Sequence, residues 1–195
     1  MANVFGVHSV GSSIVTFLRN TYPGEIGGRA LPACAFDLVS AGQLAGEVEE
    51  GNRITLFLYR ISVNEHRRQS ARLRDEAGGA GPLGLDLHYL MSAWGMSAED
   101  EQVSMTWALR QLHQHPVLDA SSLTPEAGWD REEVIQIVPS ELPTEDLMRI
   151  WDALNPSYRL SVSWVARLVR IDPDRDDTLH RPVVAGRFRY AEDAS

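Results

Sequence analysis

Apolar residues occupy every second position of the run L-G-L-D-L-H-Y-L-M at 83–91. A strand projects successive side chains to opposite faces, so Leu83, Leu85, Leu87, Tyr89 and Met91 share one face. The stretch R-I-T-L-F-L-Y-R-I-S-V at 53–63 alternates as well, with Ile54, Leu56 and Leu58 on one side and Phe57, Tyr59, Ile61 and Val63 on the other. Apolar character on both faces predicts a central strand covered from both sides. Residues 160–171 form a third long strand, with Leu160, Val162, Trp164, Ala166 and Leu168 on one face. Shorter strands are expected at 34–39, at 134–138 and, as a final edge strand, at 183–190.

Helical spacing takes over between these strands. In 4–20, Val7, Val10, Ile14, Phe17 and Leu18 approximate one face. Ser97 is placed to cap a helix, with Asp100 three residues on as a weaker capping box. Met105, Ala108, Leu109 and Leu112 then fall at i, i+3, i+4 and i+7, and Pro116 stops the helix. Pro143 introduces a third helix over 144–155, where Leu147, Ile150, Trp151 and Leu154 repeat the spacing. Tyr22-Pro23-Gly24 and Gly27-Gly28 read as breaks, and the acidic, glycine-containing stretch 42–51 as a solvated connection. The segment 64–82 is long and polar and ends in Gly78-Gly79-Ala80-Gly81, which predicts a mobile arm. The architecture expected is α/β (α+β): one domain over 1–195, built on a mixed, mostly antiparallel sheet with about three packed helices and a fraying end at 191–195.

Charge narrows the chemistry. The net charge is −9, and all 18 basic residues are arginine. Without lysine there is no phosphate-loop lysine, no Schiff base and no lysine general base. The acidic balance argues against general nucleic-acid binding, which needs a positive surface. A lone Cys34 excludes an intrachain disulfide and fits a reducing compartment. No run approaches the roughly 20 apolar residues of a membrane span, and the first residues lack a signal-peptide pattern, so no direct membrane insertion is expected.

Candidate chemistry is sparse. His113 and His115, with His88 and Asp119, are imaginable metal ligands, yet an i, i+2 pair at a helix end splays apart. Asp86 and His88 share a strand face and could orient an imidazole, but no nucleophile elbow accompanies them. Gly78–Gly81 precedes a strand, whereas phosphate-cradling loops follow one. Asp172, Asp174, Asp176 and Asp177 lack the central glycine and terminal glutamate of a calcium loop. No cofactor and no catalytic residue is expected. Interface residues are the better candidates: Arg67, Arg68, Arg72 and Arg74 on the arm, suited to an acidic neighbour, and Trp94 and Trp129 outside the helical stripes.

Several runs in order carry a resemblance. R-I-T-L-F-L-Y-R-I-S-V-N at 53–64 is followed by the arginine-rich arm, L-D-L-H-Y-L at 85–90 with Trp94-Gly95, L-H-Q-H-P-V-L at 112–118, the Leu147–Trp151–Leu154 helix and L-S-V-S-W-V-A-R at 160–167. Over about residues 4–190 the chain resembles the N-terminal domain of cap, or tail-terminator, proteins of phage-tail-like contractile injection systems. The resemblance implies a non-enzymatic structural protein with a tail-terminator-like fold, forming a hexameric ring on the inner tube and sheath at the end opposite the baseplate. Its partners would be copies of itself, the inner-tube protein and the sheath protein. Assembly would take place in the bacterial cytoplasm, within a particle that can be released. Some relatives carry a further C-terminal domain, and this chain stops near its last strand. Exchange of the arm or of the tail from Val183 with a neighbour's sheet edge would suit such a ring. Two other readings stay open on the residues alone: a small metal-dependent hydrolase using His113 and His115, and a monomeric phage-type adaptor.

Overall fold

The computed structural model describes residues 2–46, 51–64, 82–154 and 156–172. The segments 65–81 and 173–195 lie outside them, so Arg67, Arg68, Arg72 and Arg74, the strand expected at 183–190 and the end at 191–195 are not described. Helix α1 (Gly6–Thr21) leads into a small hairpin, β1 (Glu25–Ile26) and β2 (Arg29–Ala30), and then strand β3 (Ala35–Val39). Helix α2 (Ala41–Ala45), strand β4 (Arg53–Val63) and strand β5 (Leu83–Trp94) follow. After helix α3 (Ala98–Gln114) come strand β6 (Val117–Asp119), a 3-10 turn at Pro125–Ala127 and strand β7 (Val134–Pro139). Helix α4 (Thr144–Leu154) and strand β8 (Ser161–Ile171) complete the described fold.

Among the described residues six strands form one sheet in the order β3-β4-β5-β8-β7-β6. Only β3 and β4 run parallel; every other neighbour pair is antiparallel. The fold is thus α+β on a mixed, mostly antiparallel sheet, as the patterning predicts. Among the described residues the element count differs at three places, the first being the short strand β6, which the patterning after Pro116 does not predict. Gly27 and Gly28 do more than break the chain, because their φ values of 59° and 78° make the two-residue turn that pairs β1 with β2. The connection expected to be solvated contains α2, a fourth helix. Ser40 and Gln43 close a full capping box on it, and Leu44 is completely buried.

The main core lies on one sheet face, here the first face. Val10, Ile14 and Leu18 of α1 and Met105, Ala108 and Leu112 of α3 pack on Ile54, Leu56, Leu87, Tyr89 and Trp164. Trp107 joins them, edge-on to Tyr22 at 4.7 Å. Ser97 accepts from the Asp100 amide at 3.1 Å, and Glu99, Asp100 and Glu101 place negative charge on the positive end of the α3 dipole. Gly11 allows α1 to lie close to the sheet, since a Cβ there would stand 2.8 Å from Leu38 Cδ1.

On the opposite face, among the described residues, α2 and α4 cover one end. Leu44, Trp151 and Leu154 pack there on Leu90 and Trp94. The helix faces expected of α1, α3 and α4 are the ones buried.

Two irregularities change which face a side chain reaches. The β4–β5 register shifts between Leu58 and Arg60, so Arg60 pairs with His88 and Ile61 with Leu87. The extra residue inverts the alternation beyond it. Ile61 and Val63 therefore lie on the face of Leu56, not with Phe57 and Tyr59 as strict alternation predicts, and each is 49% exposed. The β5–β8 register shifts between Leu85 and Leu87, where Leu168 takes φ 65°. Strict alternation is interrupted there too: Ala166 and Val169 both reach the main core, while Leu168 is only half-buried.

Candidate assembly surface

The histidines singled out by sequence do not converge. The His115 ring stacks edge-on with Phe17 at 5.2 Å and its Nδ1 lies 3.1 Å from the Gln111 carbonyl, as expected of a residue closing a helix. His113 is exposed on the last turn of α3. His88 sits on β5 in the middle of the sheet, 2.9 Å from Ser62 Oγ. Asp119 accepts from the amides and hydroxyls of Ser121 and Ser122, which hold its carboxyl below the ordinary range. Among the described residues no group of three or more His, Cys, Asp or Glu side chains is placed to hold a metal ion.

Asp86 and His88 share a face but form no dyad. Asp86 accepts from Asn64 Nδ2 at 3.1 and 3.3 Å and from the Leu168 amide at 3.2 Å. These bonds tie Asp86 to the β8 irregularity at Leu168. Burial first, then the Arg60 guanidinium, holds the His88 imidazolium below its ordinary range; Arg167 adds to this and Asp86 opposes it. The unfolded chain therefore takes up this proton more readily than the folded one. The stability tied to neutral His88 is present above the unfolded value of 6.5 and is lost as pH falls through it toward the folded value. In urea titrations from about pH 7 to about pH 5, His88→Gln is expected to lose less stability than the wild type. Parallel curves for the two proteins would show that His88 does not titrate differently on folding.

Cys34 is half-buried at the start of β3. Burial, the largest influence, pushes its thiol up to about 11, which keeps it protonated and unreactive at neutral pH.

The two tryptophans proposed for contact have different surroundings. Trp94 is 7% exposed. Its Nε1 donates to Thr55 Oγ1 at 2.9 Å, Trp151 meets its ring edge-on at 6.0 Å, and the Arg159 guanidinium lies 4.8 Å from its centre. These contacts occupy Trp94 within the fold, and sequence spacing misses them because all three partners are remote. Trp129 is half-buried and donates to Ser9 Oγ at 2.8 Å, joining the loop before β7 to α1.

What the described residues leave open is sheet. Strand β3 pairs with β4 only as far as Phe57, so among the described residues the outer edge of β4 from Leu58 to Val63 has no strand beside it. Edge strand β6 is three residues long. Exposed apolar residues gather at the end of the sheet where β4 stops and β5 starts: Ile61, Val63 and, at 48%, Leu83. Ala2 bridges Ile171, the partner of Leu83, and brings Val4 and Phe5, 70% and 59% exposed, to the same end. Open edges and exposed apolar clusters are features of chains that complete their burial against other chains. No described helix is long and apolar enough to cross a membrane.

Comparison with known proteins agrees with this picture. No curated protein matches the chain. The structure resembles the sheath/tube terminator of an extracellular contractile injection system, PVC, in its extended state, with TM-score 0.56 and 18% identity over 96% of this chain. It also resembles the tube-terminating cap of the anti-feeding prophage, with TM-score 0.55 and 16% identity over 93% of this chain. The chain spans 64% and 60% of those two chains, less than two thirds of either. At such identities the match establishes the fold. The model of the Pvc16 N-terminal domain matches residues 9–185, nearly the whole chain, and the chain belongs to that family.

Proposed function

We propose that this chain is a structural cap of a contractile injection system, ending the inner tube and anchoring the terminal layer of sheath. The observation that carries the reading is the match of nearly the whole chain to the Pvc16 N-terminal domain, together with a fold like that of a sheath/tube terminator. The open edge of β4 and the apolar end of the sheet support it, because a terminator works through surfaces that fit neighbouring chains. The cap acts without catalysis, as a six-fold ring whose partners are copies of itself, the inner-tube protein and the sheath protein. It assembles in the bacterial cytoplasm and leaves with the released particle.

Deleting its gene in a particle-producing strain is expected to yield tubes of variable length with unsealed ends when particles are imaged. Particles of uniform length with capped ends from the deletion strain would refute the reading.

The segment 64–82 serves as a contact arm in this proposal, with Arg67, Arg68, Arg72 and Arg74 meeting carboxylates of a neighbouring subunit. Replacing the four by serine is expected to reduce co-purification with sheath while leaving the thermal transition unchanged. Undiminished co-purification would remove the arm from the contact. Trp129 is proposed to contribute at the rim of the same assembly, whereas Trp94 contributes by holding the sheet against α4.

A further inference from the structure

Among the described residues, helices cover only half of the second sheet face. Helices α2 and α4 close the end bearing Leu90 and Trp94. Toward the other end the paired rows run Arg60–His88 across β4 and β5, and Arg167–Gln136–Val117 across β8, β7 and β6. Arg60, Arg167 and Gln136 are exposed, and Val117 and Val134 remain 45% and 51% exposed. Apolar side chains beside exposed arginines on a sheet face have the composition of a contact surface.

Charge identifies the occupant. Arg53 and Arg170 of the same sheet are paired, with Asp37 at 3.1 Å and Glu133 at 3.8 Å. Arg60 and Arg167 form no ion pair among the described residues, and both lie close enough to His88 to disfavour its charge. The neighbouring carboxylate of Asp86 is engaged with Asn64 and the Leu168 amide. Two guanidiniums on one face without an ion pair among the described residues, in a chain with 27 acidic and 18 basic residues, are conspicuous. Any second copy brings a surplus of carboxylates. Helix α4 and its approach present exposed Glu141 and Asp152, which also lack an ion pair among the described residues. A ring closes only if each subunit offers two different surfaces, one to each neighbour.

We propose that the uncovered half of this face is an interface between copies of the chain: Arg60 and Arg167 of one subunit receive the acidic outer side of α4, with Glu141 and Asp152, from the next. This deepens the ring reading above and rests on it for the closure of the ring, though the surface itself is tested separately. Val117 and Val134 supply the apolar contact, and the arginines set register and orientation.

A photo-crosslinking amino acid in place of Gln136 tests this, in the purified full-length chain at low salt and in assembled particles. The expected product is a covalent homodimer whose linked peptide contains residues 144–154. Arg60→Glu with Arg167→Glu is expected to lower its yield about tenfold. Adding Glu141→Arg with Asp152→Arg to the same chain is expected to restore it. Circular dichroism of each variant reports whether the fold is retained, as expected at exposed positions. No homodimer in either sample, a link elsewhere in the second copy, or a link only to tube or sheath protein would overturn the interface. Imaging of the same particles separates the two ideas. Capped particles without the homodimer would overturn the interface and leave the terminator reading standing. A homodimer from a chain whose deletion leaves particles capped would support the interface and refute the terminator reading.

Discussion

Trp151→Ala is expected to destabilise the chain by about 3–5 kcal/mol, the range for removing a large aromatic from a packed interior. Trp151 is 2% exposed and is the largest side chain between α4 and the sheet. It meets Trp94 edge-on at 6.0 Å and donates to Ser161 Oγ at 3.2 Å. The cluster it belongs to is small, with Leu44, Leu90, Trp94 and Leu154 as its other buried members. So few side chains cannot collapse to refill the space, which places the loss toward the upper part of the range. Urea unfolding followed by near-ultraviolet circular dichroism measures the effect. A loss below about 1 kcal/mol would show that the indole does not anchor α4. The consequence for assembly is specific, because α4 carries the acidic side proposed to meet the next subunit. The variant is expected to fail in the homodimer crosslink at temperatures where its main core remains folded.

The second large effect is expected at Asp86. Asp86→Ala is predicted to lose about 2 kcal/mol, since hydrogen bonds to a charged group are worth roughly 1.5–3 kcal/mol and leaving a donor unmatched adds to the cost. The carboxylate accepts from Asn64 Nδ2 and from the amide of Leu168, a non-glycine residue at φ 65°. Such a conformation is uncommon for a leucine and persists only where its surroundings hold it. Without the carboxylate, β8 is expected to loosen at this point, and hydrogen exchange at the Leu168 amide should accelerate. Asp86→Asn, which keeps one acceptor oxygen, should fall between wild type and alanine. An unchanged Leu168 exchange rate in Asp86→Ala would mean that the carboxylate does not pin the irregularity. Because Arg167 immediately precedes this point, the prediction also bears on the presentation of the arginine face.

The elements were legible where local physics decides them. Alternation located β4, β5 and β8, and the i, i+3, i+4, i+7 stripes located α1, α3 and α4 with their buried sides. Ser97, Pro116 and Pro143 marked helix ends because capping and proline geometry act within a few residues. Helix α2 has no apolar stripe to mark it, although a capping signal is present in Ser40 and Gln43. A five-residue helix with one buried leucine is weak against an acidic, glycine-containing background. The ordered runs also carried the family, which the match over 9–185 establishes.

The candidate surface was far less legible. Arg60 and Arg167 read as routine polar positions in long strands, because nothing in their own segments shows that the face they reach is uncovered. Trp94 stood out as a contact residue for the same reason: Thr55, Trp151 and Arg159, which enclose it, are 39, 57 and 65 residues away along the chain.

By itself, then, the sequence determined the five longer described strands, three of the four described helices, the absence of lysine chemistry and the family. Each depends on the order and spacing of neighbouring residues. Only the tertiary structure decided that β8 inserts between β5 and β7, that Ile61 and Val63 lie on the face of Leu56, and that, among the described residues, half of one face stays open beside two arginines without an ion pair. Strand order and register are settled by pairing between distant segments, and a shift of one residue exchanges the two faces of a strand.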